Sequence, residues 1–110
     1  MAKEIKIPYG GIEYRLTYTR RTVSMMEQNG FRISLLLEQP MTMIPQMFSG
    51  AFLANHRRVK QDVIDEIYAH LSHKDELISK LVDMYNDTIS MLTDEPDEEE
   101  SGKVEWAADW

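Results

Sequence analysis

The period of the hydrophobic pattern changes at Thr19, and that change limits the chain to a short sheet followed by helices. Before it, Ile5 and Ile7 alternate with Glu4 and Lys6, and Ile12, Tyr14, Leu16 and Tyr18 alternate with Glu13, Arg15 and Thr17. Pro8-Tyr9-Gly10-Gly11 supplies turn residues between the two arms, so they read as a β-hairpin with one apolar and one wet face. A two-stranded hairpin alone is marginal in water. Its apolar face needs a cover, and helices of the same chain are the economical one.

After Thr19 the apolar residues return every third or fourth position. Thr19 is placed to cap a short helix through Gln28, with Val23 and Met26 facing inward and Asn29-Gly30 as its stop. Phe31, Ile33 and Leu35-Leu36-Leu37 predict an apolar turn or short helix ending near Pro40. Thr42 is expected to cap the next helix, with Pro45 tolerated in its first turn. Ile44, Met47, Phe48, Ala51 and Phe52 then form an apolar stripe, and Gly50 and Ala54 allow neighbours to approach closely. This reads as the central helix.

His56-Arg57-Arg58-Val59-Lys60 is a polar break. Val63, Ile64, Ile67, Tyr68 and Leu71 resume the helical spacing, and Ser72-His73-Lys74-Asp75 matches a capping box with Asp in place of the commoner Glu or Gln. A last helix is predicted from about His73 to Met91, with Leu77, Ile78, Leu81, Val82, Tyr85, Ile89 and Leu92 on its stripe. The expected fold is α+β and mostly α: an N-terminal hairpin packed on four to five helices, one domain over residues 1–93. An acidic flexible tail is expected over 94–110.

The net charge of −7 belongs to that tail. Of nineteen acidic side chains, eight lie within 94–110 against Lys103 alone, so the body is neutral. Affinity for nucleic acid needs clustered uncompensated Lys and Arg, and no nucleic-acid partner is expected. MAKEIKIPYG lacks the apolar run of a signal peptide, and the apolar runs elsewhere are a few residues long. A cytoplasmic chain with no membrane partner is expected. The chain has no cysteine, which removes thiolate metal sites, disulfides and cysteine nucleophiles together.

Catalytic patterns are sparse. Glu66 and His70 lie one helical turn apart with His73 close by, but a metal needs three or four converging ligands, so surface histidines are the simpler reading. Ser49-Gly50 sits in an apolar helix rather than a strained turn, which makes Ser49 a packing residue. The pairs Asp65-Glu66 and Asp75-Glu76 point to different azimuths of their helices. No phosphate loop or dinucleotide fingerprint is present. No enzymatic activity, metal or cofactor is expected.

Binding features are better represented. Met25, Met26, Met41, Met43, Met47, Met84 and Met91 lie among the helices, and methionine suits both irregular core filling and surfaces that accept varied apolar partners. Arg57-Arg58-Lys60 is a local positive patch, either a solvated turn or a seat for an acidic partner, this chain's own tail included. The tail ends in Val104-Glu105-Trp106-Ala107-Ala108-Asp109-Trp110, where two tryptophans suggest a tethered recognition peptide.

The hairpin, "TRRTVSMMEQNGF", "QPMTMIPQMFSGAFLANHRRVKQDVIDEIY", "KDELISKLVDMYNDTISML" and the tail "VEWAADW" together resemble a family of small proteins of phages and prophages of Gram-positive (Firmicutes) bacteria. The likeness covers nearly the whole chain and is most specific from Phe48 to Tyr68. That family is in turn similar to the tail assembly chaperones of siphoviruses. The resemblance implies a non-catalytic role: binding the apolar, helical tape measure protein and keeping it soluble during virion morphogenesis, while major tail protein polymerises around it. It implies the cytoplasm of the bacterial host and either the short form of a frameshifted pair or a family without the shift, and it supplies no catalytic residues. Ile44, Met47, Phe48 and Phe52 of the central helix, with Trp106 and Trp110 of the tail, are the expected protein-binding residues. A homo-oligomer is expected, since a small Met-rich body otherwise exposes apolar surface. Three other readings stand beside this one: a head–tail connector or tail-completion component, an acidic host-directed regulator, and a metal-dependent enzyme using His70.

Overall fold

A computed structural model describes residues 3–92 and 107–109. Strands β1 (Ile5–Tyr9) and β2 (Ile12–Leu16) pair antiparallel, with Ile5 opposite Leu16, Ile7 opposite Tyr14 and Tyr9 opposite Ile12. The two-residue turn Gly10-Gly11 has φ of 58° and 80°, the sense that follows the twist of the flanking strands. Ile7, Tyr14 and Leu16 are buried on one face, as the alternation predicts, while Ile12 at the turn end is half exposed.

Four helices follow: α1 (Arg20–Gln28), α2 (Pro40–Gly50), α3 (Gln61–His70) and α4 (Lys74–Ser90), with a 3-10 turn at Ile33–Leu35. The expected α+β fold of hairpin and helices is the observed one. Thr19 caps α1 through a reciprocal pair: its hydroxyl accepts from the Thr22 N–H at 3.1 Å, and the Thr22 hydroxyl accepts from the Thr19 N–H at 2.9 Å. At the other end Phe31 N–H bonds back to the Met26 carbonyl and Gly30 N–H to that of Glu27, with Gly30 at φ 95°. This is the Schellman arrangement, and it brings Phe31 back against Met26.

Two boundaries differ from expectation. Thr42 does not cap α2; the helix starts two residues earlier, because Pro40 fits the first helical position with its φ already set. Pro45 therefore lies inside α2 rather than in its first turn. Ser72 does not cap α4 either. His73 takes the N-cap position at φ 53° with no side-chain cap bond, a left-handed kink that turns the chain sharply out of α3.

The core joins the hairpin face to all four helices. Phe48 stacks edge-on against Phe52 and Tyr68, with ring centroids 5.2 Å and 5.0 Å away, while Tyr85 meets Tyr18 at 5.4 Å and Phe31 at 5.2 Å. Past Gly50 the central helix tightens: Ala51, Phe52 and Leu53 N–H groups bond three residues back. The Met47 carbonyl instead accepts from the buried Tyr18 hydroxyl at 2.6 Å. Burial pushes the Tyr18 phenol far above its ordinary pKa, with Tyr85 adding to the shift. On α4 the buried set is Leu81, Met84, Tyr85 and Thr88; Ile89 and Leu92, expected on the stripe, are exposed.

The segment after α2 also seals the outer edge of β2. Thr17 N–H donates to the Ala51 carbonyl at 3.1 Å, Arg15 N–H to His56 Nε2 at 2.9 Å, and the Asn55 side-chain amide to the Arg15 carbonyl at 3.1 Å. A sheet edge left open invites pairing with other chains, and this one is covered. No helix among the described residues is long and apolar enough to cross a membrane.

Candidate binding groove

The structure separates the predicted binding residues. Met47, Phe48 and Phe52 are at most 1% exposed and Ile44 is partly buried, so the stripe proposed as a client surface is the protein's own core. The physical reason is plain: a helix turns its widest apolar stripe towards the hairpin and its neighbouring helices, because that burial stabilises the fold. Trp106 and Trp110 lie outside the described residues. The methionines divide in the same way. Met26, Met43, Met47 and Met84 fill the core, while Met41 and Met91 are exposed.

What remains open is the other flank of α2. A groove of about 370 Å³ runs between the end of α1, α2 and the start of α3. That volume is near the lower end for sites that enclose small ligands, and it is wide enough for one large side chain. Its floor is apolar: Met26, Phe31, Phe52 and Ile64. Met26 and Phe31 arrive there through the turn that ends α1. Phe52 is thus the one predicted binding residue that lines the groove, as its floor.

Gly50 lets the floor form. A Cβ at Gly50 would stand closer than 3 Å to three atoms of the Met26 side chain, so Met26 lies directly over the Gly50 backbone and would have to shift for any larger residue there. Gly50 thus holds the close-approach role expected of it from the sequence.

One wall is α2 and its continuation, with Pro45, Gln46, Ser49 and Leu53. Gln61 on α3 crosses to this wall, its amide donating to Ser49 Oγ and to Asp65 Oδ1, both at 2.9 Å. Ser49 is therefore an acceptor in a structural bridge. Gln46 Oε1 is buried and has no hydrogen-bond partner among the described residues. An unsatisfied buried acceptor costs about 1–3 kcal/mol, and most native polar groups avoid it. Gln46 lines the groove and its terminal torsion is soft, so this oxygen can reorient towards a donor brought there.

The rim carries Asn29, His56 and Arg57, with Arg58 and Lys60 next along the chain. His56 accepts the Arg15 N–H through Nε2, which leaves its proton on Nδ1, and its ring leans edge-on against Tyr14 with centroids 5.1 Å apart. The segment read from sequence as a polar break is thus anchored at His56. Its arginines stay exposed.

The histidine pair considered for a metal has other occupations. His70 Nδ1 bonds the Glu66 backbone carbonyl at 2.9 Å. The Glu66 side chain acts on the Tyr9 hydroxyl, and this interaction is the main reason the Tyr9 pKa is raised. Among the described residues no three His, Cys, Asp or Glu side chains converge as a metal site would require. Lys3 pairs with Asp87 at 2.9 Å, which raises the lysine pKa, but both side chains are about half exposed and solvent screens the pair.

A second apolar feature lies at the start of α2. Leu37 and Met41, four residues apart, are 93% and 88% exposed. No periodicity argument had marked them.

Hairpin, four helices and a half-open groove define a small α+β protein whose accessible chemistry is apolar contact rimmed by polar and cationic groups. The chain belongs to the family described as Domain of unknown function (DUF5055), which it matches over residues 1–110. No curated protein and no solved structure matches it.

Proposed function

We propose that this protein is a non-catalytic tail assembly chaperone of a long-tailed phage. It acts in the cytoplasm of the bacterial host and keeps the tape measure protein soluble until major tail protein encloses it. The observation that carries the reading is the groove beside α2, with its apolar floor, its unpaired Gln46 acceptor and its cationic rim. Such a groove seats one large apolar side chain of a helical client and supports the contact with hydrogen bonds at its edge. The sequence resemblance to siphovirus tail chaperones supplies the identity of the client.

The groove replaces the buried stripe of α2 as the client surface. Exposed Leu37 and Met41 are the surface for self-association, so that several copies line one extended client. Co-expression with the tape measure protein of the same genome, followed by affinity purification and light scattering, tests the proposal. A soluble complex with several copies of this chain per client is the expected result. An insoluble client and a chain that elutes alone would refute it, and recovery of the chain from purified virions would mark a structural component instead.

A further inference from the structure

The groove and the C-terminal segment match each other in three independent respects. The first is charge: residues 94–110 carry eight acids against one lysine, while the groove rim carries Arg57 with Arg58 and Lys60 beside it. The second is hydrogen bonding. An indole has one N–H and no acceptor, and the groove wall holds one buried acceptor, Gln46 Oε1, without a donor. The third is shape, since a floor of Met26, Phe31, Phe52 and Ile64 in about 370 Å³ suits a flat aromatic ring, and thioether and ring edges both favour aromatic contact.

We propose that the segment Val104–Trp110 docks on its own protomer by inserting one of its two indoles into the groove beside α2, with the flanking carboxylates against Arg57 and Arg58. The segment thereby acts as a built-in competitor for the site. Ala107, Ala108 and Asp109 are exposed in the conformation described here, so docking is a second conformation in equilibrium with it. Thirteen residues lie between Leu92 and Trp106. Fully extended, such a stretch reaches on the order of 50 Å, against molecular dimensions of 55 × 33 × 25 Å, so the groove is within range of the same chain. Tethering makes that contact intramolecular and favours it over the segment of a second copy. The inference uses the same groove as the proposed function but needs no phage client, so the two fail separately.

Trp106 and Trp110 are the only tryptophans in the chain, so intrinsic fluorescence of the full-length protein reports on this segment alone. Docking of one indole predicts a blue-shifted component of the emission that acrylamide quenches several-fold less than it quenches the urea-unfolded protein, beside a second component quenched freely. Leu53→Glu and Arg57→Glu should each move both signals towards the unfolded values while the far-ultraviolet circular dichroism stays unchanged. High salt should do the same to a smaller degree, because part of the contact is between exposed charges. Protection must survive dilution of about a hundredfold, as an intramolecular contact does. Quenching in the native protein equal to that in urea overturns the proposal. So does protection that neither groove variant disturbs, which would place the indole elsewhere. Protection lost on dilution would assign the groove to the segment of a second copy and overturn docking within one protomer.

Discussion

The two flanks of α2 are built from the same eleven-residue helix and do opposite things. One flank, with Met43, Met47 and Phe48 and continued by Phe52, is sealed against the hairpin, α3 and α4. The other, with Pro45, Gln46 and Ser49 and continued by Leu53, borders a groove and leaves an amide oxygen unpaired. The sealed flank accounts for stability, because burying large apolar side chains is the main term that offsets chain entropy. The open flank, Leu53 apart, keeps small and polar residues that could not hold a core together. The difference teaches that the most hydrophobic surface of a small protein's central helix is where its core lies, and that binding is to be sought on the flank the core does not use.

The comparison is broken most severely by truncating each flank in turn. Phe48→Ala should cost about 3–5 kcal/mol, the range for emptying a large buried aromatic site, enough to unfold a marginal domain. Leu53→Ala on the open flank should cost roughly 1 kcal/mol, since the side chain is only partly buried. Urea unfolding of the two variants reads the difference directly, and equal losses would mean that the flanks are not distinct.

Tyr18→Phe comes next. It leaves the Met47 carbonyl without its donor in the core and should cost about 1–3 kcal/mol. The same residue sets an alkaline limit. Tyr18 and Tyr85 have folded pKa values raised by burial above the ordinary 10.0, so the stability they contribute is full below pH 10 and is lost as pH rises past it. Thermal midpoints should be insensitive to these phenols up to about pH 10 and then fall, less steeply in Tyr18→Phe.

Two smaller effects sharpen the picture of the groove. Gly50→Ala gains helix propensity of about 1 kcal/mol but forces a methyl group into the packed Met26 side chain, where overpacking costs about 1–3 kcal/mol. A net loss on the order of 1 kcal/mol is expected, and a gain would show that Met26 moves aside easily. Gln46→Leu removes the unpaired acceptor and should raise stability by about 1 kcal/mol while weakening whatever the groove holds. Such a trade marks a position retained for binding.

Much of the fold was legible in the residues. The switch from alternation to helical spacing at Thr19 placed the hairpin, and Asn29-Gly30 marked the end of α1. Caps were less legible. Thr42 and Ser72 carry capping side chains, yet Pro40 and the left-handed His73 set the actual starts of α2 and α4, because the path of the chain between helices overrode local preference. On α4 the stripe follows Leu81, Met84, Tyr85 and Thr88. Thr88 was invisible to an apolar count, since its hydroxyl is satisfied within the core by the Met84 carbonyl at 3.1 Å.

The site was less legible than the fold. Ile44, Met47, Phe48 and Phe52 were chosen as binding residues by the same periodicity that selects core residues, and three of the four are core. The groove depends on features without a periodic signature: the turn at Gly30 that returns Phe31 to Met26, the absence of a side chain at Gly50, and the bridge from Gln61 to Ser49. The basic cluster at Arg57 was visible from sequence, but its position on the rim of a cavity was not. A glutamine among apolar residues, Gln46 between Pro45 and Met47, is the one signal of it in the sequence.

The most direct test of the central claim is co-expression of the tape measure protein with the Leu53→Glu variant beside the unaltered chain, scored by the amount of client in the soluble fraction. A carboxylate on the groove wall should leave the protein folded and abolish client solubilisation. If the folded variant holds the client in solution as well as the unaltered protein does, the groove beside α2 is not the working surface of this protein.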